Sequence, residues 1–131
     1  RMAQPPRCRL CCAERDVAHT RADLSQLVGY ETRAVQNGLE AVHTARVFDP
    51  HVAVLDLNMP VMDGYEAAAV LRRECVRKNL ILIADSAQAE PHEIERAHRS
   101  GFDHHVAKPA DSGKLQTLIA SALRVAGSAT L

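Results

Sequence analysis

The feature that most restricts the fold of this chain is the regular alternation of short apolar runs with longer segments of helical periodicity. This alternation is typical of βαβ units, in which helices join parallel strands. Right-handed crossovers then give a doubly wound α/β sheet, whose ligands bind outside the carboxyl ends of the strands. The predicted strands cover 8–13, 31–35, 51–57, 80–84 and 104–107, and the predicted helices cover 16–28, 37–48, 65–74, 91–100 and a last segment from 111 or 112 to about 123.

The composition is that of one ordinary globular domain. The 131 residues are 47% hydrophobic and 24% charged, which is sufficient for a single core. Because 16 basic residues balance 16 acidic ones, no positive field attracts a nucleic acid or an anionic membrane. We expect a domain over 7–125, with a linker at 1–6 and a tail at 126–131.

The cysteines and the apolar runs bear on location. Four cysteines, at 8, 11, 12 and 75, are expected to be reduced core side chains, because a chain of this size does not need disulfides. No apolar run approaches the roughly 18 residues that span a bilayer. A cytoplasmic domain is expected, which is compatible with a parent protein anchored in a membrane.

Polar residues stand at the ends of three predicted strands. Asp56 ends the third strand, Ser86 follows the fourth and Lys108 follows the fifth. A carboxylate is a nucleophile towards phosphorus, a hydroxyl donates a hydrogen bond, and an ammonium group neutralises the added charge. This set predicts a site for a transferring phosphoryl group.

The motifs around these residues resemble those of response-regulator receiver domains. The likeness rests on VAVLDLNMPVMDGYEAAAVLR at 52–72, QNGLEAV at 36–42, Ser86-Ala87 and GFDHHVAKP at 101–109. The D-x-N-M-P-x-M-D-G run is the most specific of them, and the last motif is similar to receivers attached to hybrid sensor kinases. The resemblance implies a flavodoxin-like (βα)5 fold with the parallel strand order 2-1-3-4-5.

The resemblance also implies roles for single residues. Asp56 matches the aspartate that accepts the phosphoryl group from a histidine, and Lys108 the lysine that pairs with that group. Asp56 also matches a ligand of the magnesium ion, as does the backbone carbonyl of Asn58. Ser86 matches the hydroxyl residue that binds a phosphoryl oxygen and reports phosphorylation to the fourth helix. Pro109 matches a structural proline whose preceding peptide bond is usually cis.

A switch and a signalling surface follow from the same resemblance. His105 stands where the family usually has the Tyr or Phe that moves inward with the Ser/Thr. The expected partners are a histidine kinase or a phosphotransfer protein, which would contact the fourth helix, the fifth strand and the fifth helix. Between 91 and 100 only Ile94 and Ala97 offer an apolar stripe, so we expect this helix to be loosely held. A homodimer through the same surface is an option.

The first strand departs from the family. Receivers normally end it with two adjacent acids that hold Mg2+, whereas an ungapped alignment places Cys12 and Ala13 there. Neither provides the oxygen ligand that Mg2+ requires. Glu14 is the candidate substitute and Asp16 a poorer one, so weak magnesium binding is expected. Asp85 also departs from the pattern, because an aliphatic residue usually ends the fourth strand.

Two functions of different classes remain open at this point. One is a phosphoacceptor receiver of a two-component phosphorelay, without independent enzyme activity. The other is a degenerate receiver that acts as a phosphate-independent interaction module, because Cys12 and Ala13 replace the acids. A phosphatase that uses a strand-end aspartate is a weaker third reading, since it requires a second aspartate where Asn58 stands.

Overall fold

The fold was derived from a computed structural model, which describes residues 9–14, 31–74, 79–86, 90–107, 117–118 and 120–121. The strands are β1 (Arg9–Ala13), β2 (Glu31–Val35), β3 (Val52–Asp56), β4 (Ile81–Ser86) and β5 (His104–Ala107). The helices bounded within these residues are α1 (Gly38–Phe48), α2 (Gly64–Glu74) and α3 (Pro91–Ser100). They correspond to the second, third and fourth helices predicted from the sequence.

The strands form one parallel sheet in the order β2-β1-β3-β4-β5. This confirms the predicted doubly wound topology. All five residues of β3 are buried, as expected for a central strand covered on both faces. The carboxyl ends of β1, β3 and β4 therefore lie side by side at one edge.

Successive side chains of each strand point to opposite faces, which divides the core into two clusters. On one face, Cys11, Ala13 and Leu55 pack with buried residues of all three helices. The cluster on the other face consists of Leu10, Cys12, Val52, Val54, Ile83 and Val106, with Leu118 packed against it. Cys11 and Cys12 are buried and reduced, as predicted for core residues.

Two helix boundaries follow the predicted local chemistry. The side chain of Asn37 accepts a hydrogen bond from the Glu40 N–H at 2.9 Å and caps α1, which satisfies one of the unpaired donors of the first turn. Pro91 opens α3, and Gly101 ends it with φ 115°. Glycine adopts this left-handed conformation without the steric cost of a Cβ atom.

One strand boundary differs from the prediction in a way that matters for the site. The prediction ended the fourth strand at residue 84, whereas β4 continues through Asp85 and Ser86. The reason is that β5 still supplies pairing partners there, since Asp85 lies opposite Val106 and Ser86 opposite Ala107. Ser86 is thus the last residue of the strand and not the first residue of a loop.

The attachment of α3 is thin, as predicted. Ala97 is its buried residue and Ile94 is half-buried. None of the helices within the described residues is long and apolar enough to cross a membrane. The predicted helix over 16–28, Cys8, Cys75 and most of the last predicted helix lie outside the described residues.

Candidate functional site

Asp56 lies at the carboxyl end of β3, where the sequence placed it. Asp56 is buried, with only 7% of its surface exposed. Its Oδ1 accepts a hydrogen bond from the Asn58 N–H at 3.0 Å. Gly64 packs directly beneath, because a Cβ atom there would lie 2.5 Å from the Asp56 carbonyl oxygen. The glycine thus allows α2 to begin against the backbone of the candidate acceptor.

The end of β4 adds two buried polar residues beside Asp56. Asp85 pairs in register with Asp56, so the two side chains leave the sheet on the same face. Asp85 is 4% exposed and Ser86 is fully buried. The Asp85 carbonyl also accepts the Leu57 N–H at 3.0 Å, which holds the first residue after β3 against β4.

Ser86 and His105, the two predicted switch residues, are in direct contact. The Ser86 Oγ and the His105 Nε2 are 2.9 Å apart, which is a hydrogen bond. His105 is half-buried and its neighbour His104 is exposed, as expected for successive residues of a strand. Burial lowers the pKa of His105, and His98 acts in the same direction, while Glu93 raises it.

The end of β1 contrasts with the ends of β3 and β4. Cys12 and Ala13 are buried in the two apolar clusters, one on each face of the sheet. Burial also raises the pKa of the Cys11 thiol to about 12, so this thiol stays protonated. Glu14 follows, half-buried, with its N–H donating to the Val35 carbonyl at 3.0 Å.

These residues fit a magnesium ion only in part. Asp56 supplies a carboxylate and Asn58 a backbone carbonyl, and both are oxygen donors of the kind that Mg2+ prefers. Within the described residues, no group of three or more His, Cys, Asp or Glu side chains is arranged to hold a metal ion.

The loop after β3 contains a conformation that the sequence did not lead us to predict. Val61 has φ 69° and is 77% exposed, and the Met62 N–H donates to the Pro60 carbonyl at 2.7 Å. These features define a γ-turn with positive φ, which is rare and strained. Pro60 was the available signal of a turn, but a β-branched residue after it gave no indication of this one.

Three of the predicted residues lie outside the described residues: Lys108, Pro109 and Asp16. Lys108 directly follows Ala107, the last residue of β5, in the chain. The described part of the site therefore has Asn58 bonded to Asp56 at the end of β3, and His105 bonded to Ser86 at the end of the neighbouring strand β4.

Comparison with curated proteins shows similarity to signalling proteins. The regulatory protein AtoC of Escherichia coli is 34% identical over 76% of this chain, and the polar-differentiation response regulator DivK of Brucella anthropi is 32% identical over 66%. The peroxide stress-activated histidine kinase mak1 of Schizosaccharomyces pombe is 30% identical over 79% of the chain. The match spans 71% of DivK but only 21% of AtoC and 7% of mak1.

Solved structures and a family model agree with these relatives. The CheY-like receiver domain protein of Methanospirillum hungatei superposes with a TM-score of 0.82 at 18% identity, over 94% of this chain and 98% of its own. The family model of the response regulator receiver domain matches residues 14–120, which is most of the sequence. This chain, which carries the aspartate, the strand-end serine and the parallel sheet of that family, belongs to the response regulator receiver domains of two-component signal transduction.

Proposed function

We propose that this receiver domain accepts a phosphoryl group on Asp56 from a phosphohistidine. Receiver domains interact with histidine kinases or phosphotransfer proteins. In the proposed transfer, a carboxylate oxygen of Asp56 forms a bond to phosphorus while the bond from phosphorus to the imidazole nitrogen breaks, and the released imidazole takes a proton from water. The observation that carries this proposal is the buried carboxylate of Asp56 at the carboxyl edge of the sheet, where the buried Ser86 ends the neighbouring strand.

The charge that the phosphoryl group adds must be neutralised. An aspartyl phosphate has up to two negative charges, and the buried Asp85 lies in register beside it. We assign to Ser86 a hydrogen bond to a phosphoryl oxygen, and to Lys108 the neutralising cation. This need for a cation next to two carboxylates is what supports a role for Lys108.

We further propose that Mg2+ binds weakly through Asp56, the Asn58 carbonyl and Glu14. When bound, the ion supplies positive charge to the oxygens of the transferring group. The protein itself orients the acceptor through the bond from Asn58 N–H to Asp56 Oδ1. Weak affinity follows from the apolar surroundings of Cys12 and Ala13, where two acids are usual in the family.

Signalling is assigned to the surface formed by α3, β5 and the last predicted helix. A partner protein or a second copy of the domain would bind there, since α3 has a single buried residue, Ala97. The reduced, buried state of Cys11 and Cys12 supports a reducing cytoplasm as the location. We expect no enzyme activity apart from loss of the domain's own phosphoryl group.

A second function is favoured by one specific observation. Cys12 and Ala13 are 5% and 1% exposed and belong to the packed core, so the end of β1 has become a structural part of the sheet. A degenerate receiver that binds partners without phosphate would show this feature.

One experiment separates the two functions. The intact mass of the chain is measured after incubation with acetyl phosphate, with and without Mg2+, for the wild type, Asp56→Asn and Ala13→Asp. We expect a phosphoryl adduct on the wild type that depends on Mg2+ and is absent from Asp56→Asn, and a lower Mg2+ requirement for Ala13→Asp. Labelling of Ala13→Asp alone would identify a degenerate receiver, and labelling of Asp56→Asn would exclude Asp56 as the acceptor.

A further inference from the structure

The hydrogen bond between the Ser86 hydroxyl and the His105 imidazole can run in either direction, depending on which ring nitrogen carries a proton. A Tyr or Phe in place of His105 would not provide a nitrogen that titrates. Their 2.9 Å bond crosses from β4 to β5, where the backbone partner of His105 is Ala84. The side chain of His105 therefore reaches along the sheet towards its carboxyl edge, where Asp56 lies. Ser86 is fully buried, so the imidazole contacts it inside the protein.

The direction of this bond depends on the protonation of the ring. A serine hydroxyl has one proton, and a neutral imidazole has one N–H that is on either nitrogen. If the His105 Nε2 is unprotonated, it accepts a hydrogen bond from the Ser86 hydroxyl. Ser86 can then only accept hydrogen bonds from other groups. If Nε2 is protonated, it donates to the Ser86 Oγ, and the hydroxyl proton is available to another acceptor.

We propose that His105 is a positioning residue that makes phosphorylation of Asp56 proton-linked. The neutral ring with its proton on Nδ1 accepts the hydrogen bond of the Ser86 hydroxyl at Nε2, whereas the protonated ring donates at Nε2 and leaves the hydroxyl to donate to a phosphoryl oxygen. The proposal rests on the proposed function at Asp56. A phosphoryl group has oxygen acceptors and no proton to offer Ser86 when it is fully ionised. The bond that Ser86 makes to it therefore requires the hydroxyl hydrogen that is donated to Nε2 when the neutral His105 ring carries its proton on Nδ1.

The surroundings of His105 favour its neutral form before phosphorylation. Burial lowers the pKa of the ring, and among the described residues the charged or titratable groups that act on it are both on α3: Glu93, which raises the pKa, and His98, which lowers it. From β4 the group that faces the ring is the Ser86 hydroxyl. A new negative charge at the edge of the sheet acts in the same direction as Glu93.

The coupling between the two events is reciprocal. If phosphorylation of Asp56 favours protonated His105, then protonation of His105 favours phosphorylation of Asp56 to the same extent. An added charge near a titratable group shifts its pKa by about one unit or more, so we expect phosphorylation to raise the His105 pKa by about one unit. The same coupling makes the phosphorylated form up to about tenfold more favoured at acidic pH than at pH 8.

The first test uses the unchanged protein. Ring 1H–15N correlation spectra of the full chain are recorded between pH 5 and 8, alone and during incubation with acetyl phosphate and Mg2+. We expect His105 to have an unprotonated Nε2 at pH 7.5 in the free protein, and to titrate about one unit higher in the phosphorylated protein. A protonated Nε2 in the free protein, or the same titration in both states, would overturn the proposal.

The second test measures phosphorylation against pH for the wild type and His105→Phe, with His104→Phe as the control because His104 is the exposed neighbour. The fraction carrying an adduct is determined by intact mass, and the ratio of wild type to His105→Phe removes effects common to both. We expect this ratio to rise as the pH falls from 8 to 5, and His104→Phe to follow the wild type. A constant ratio would refute the proton link alone, whereas absence of any adduct on the wild type would refute the proposed function and the link with it.

Discussion

The two edges of the sheet use polar side chains for different purposes. At the amino edge, Arg72 donates to the carbonyls of Gly101 and Leu80 at 2.8 and 2.6 Å and to Asp103 Oδ2 at 2.6 Å. Nearby, His51 Nδ1 accepts the Arg9 N–H at 3.0 Å. These bonds join segments that are separated in the sequence, and three of the four involve a backbone group.

At the carboxyl edge the bonds have another character. Asp56 accepts from Asn58, two residues further on, and Ser86 bonds the side chain of His105. The Asp56 bond is local, and the Ser86 bond joins β4 to β5 through two side chains that are assigned to the switch. The comparison teaches that burial of a polar group does not by itself indicate function in this sheet, since it occurs at both edges, whereas ligands of such sheets bind at the carboxyl ends of the strands.

The sharpest test of this division is at the amino edge. Arg72→Ala removes three bonds from a charged group and should lower the free energy of unfolding by about 3 kcal/mol, measured by urea denaturation. Arg73→Ala, an exposed neighbour on the same helix, should change it by less than about 0.5 kcal/mol. Labelling of folded Arg72→Ala by acetyl phosphate should stay at the wild-type level, and a loss of labelling would show that the edges are not separate.

At the carboxyl edge, Gly64→Ala should affect both stability and labelling. Its Cβ would lie 2.5 Å from the Asp56 carbonyl oxygen and 2.8 Å from the Leu57 Cα, which are backbone atoms that cannot move aside alone. Overpacking of this kind costs about 2 kcal/mol, and the displaced Asp56 should be labelled more slowly.

The control for this variant is Ala69→Gly at an exposed position of α2. It should cost about 1 kcal/mol through helix propensity while labelling is unchanged. Normal labelling of Gly64→Ala would contradict the role of the glycine contact in holding the acceptor.

The strained γ-turn predicts a gain in stability at the same edge. Val61→Gly removes a β-branched side chain at φ 69° that is 77% exposed. Relief of strain should exceed the entropy cost of the glycine and raise the free energy of unfolding by about 1 kcal/mol. Val61→Ala keeps the Cβ atom but not the branch, so its urea midpoint should lie between those of the wild type and Val61→Gly. A Val61→Gly variant less stable than the wild type would show that the turn is not strained.

The smallest expected effect is a pH dependence of stability. Burial lowers the pKa of His105 in the folded chain, so the unfolded chain binds the proton more readily. The neutral ring contributes fully to the free energy of unfolding above the pKa of His105 in the unfolded chain, which is about 6.5. This contribution is lost as the pH falls towards the lower pKa of the folded chain. Urea denaturation at pH 7.5 and 5.5 should therefore show a smaller loss for His105→Phe than for the wild type, with His104→Phe behaving as the wild type does.

The periodicity of the sequence predicted a doubly wound parallel sheet, and the resemblance to receiver domains supplied the strand order, which is confirmed. Periodicity reports burial, and buried parallel strands leave few topologies. It placed the end of the fourth strand too early, because the polar residues Asp85 and Ser86 interrupt an aliphatic run while the backbone ladder to β5 continues through them. The γ-turn at Val61 and the bond from Ser86 to His105 depend on tertiary contacts, which no local pattern encodes.

The Arg72 bonds have a mechanical consequence for α3. They fix the carbonyl of Gly101 and the side chain of Asp103, so the helix is pinned at its C-terminal end, while Ala97 is its buried residue. Its 10 residues span about 15 Å at 1.5 Å each. Pivoting about the pinned end, a tilt of about 5° over that length displaces the Pro91 end by about 1.3 Å. A small rotation of α3 about its C-terminal end, at the amino edge of the sheet, therefore moves its N-terminal end the furthest.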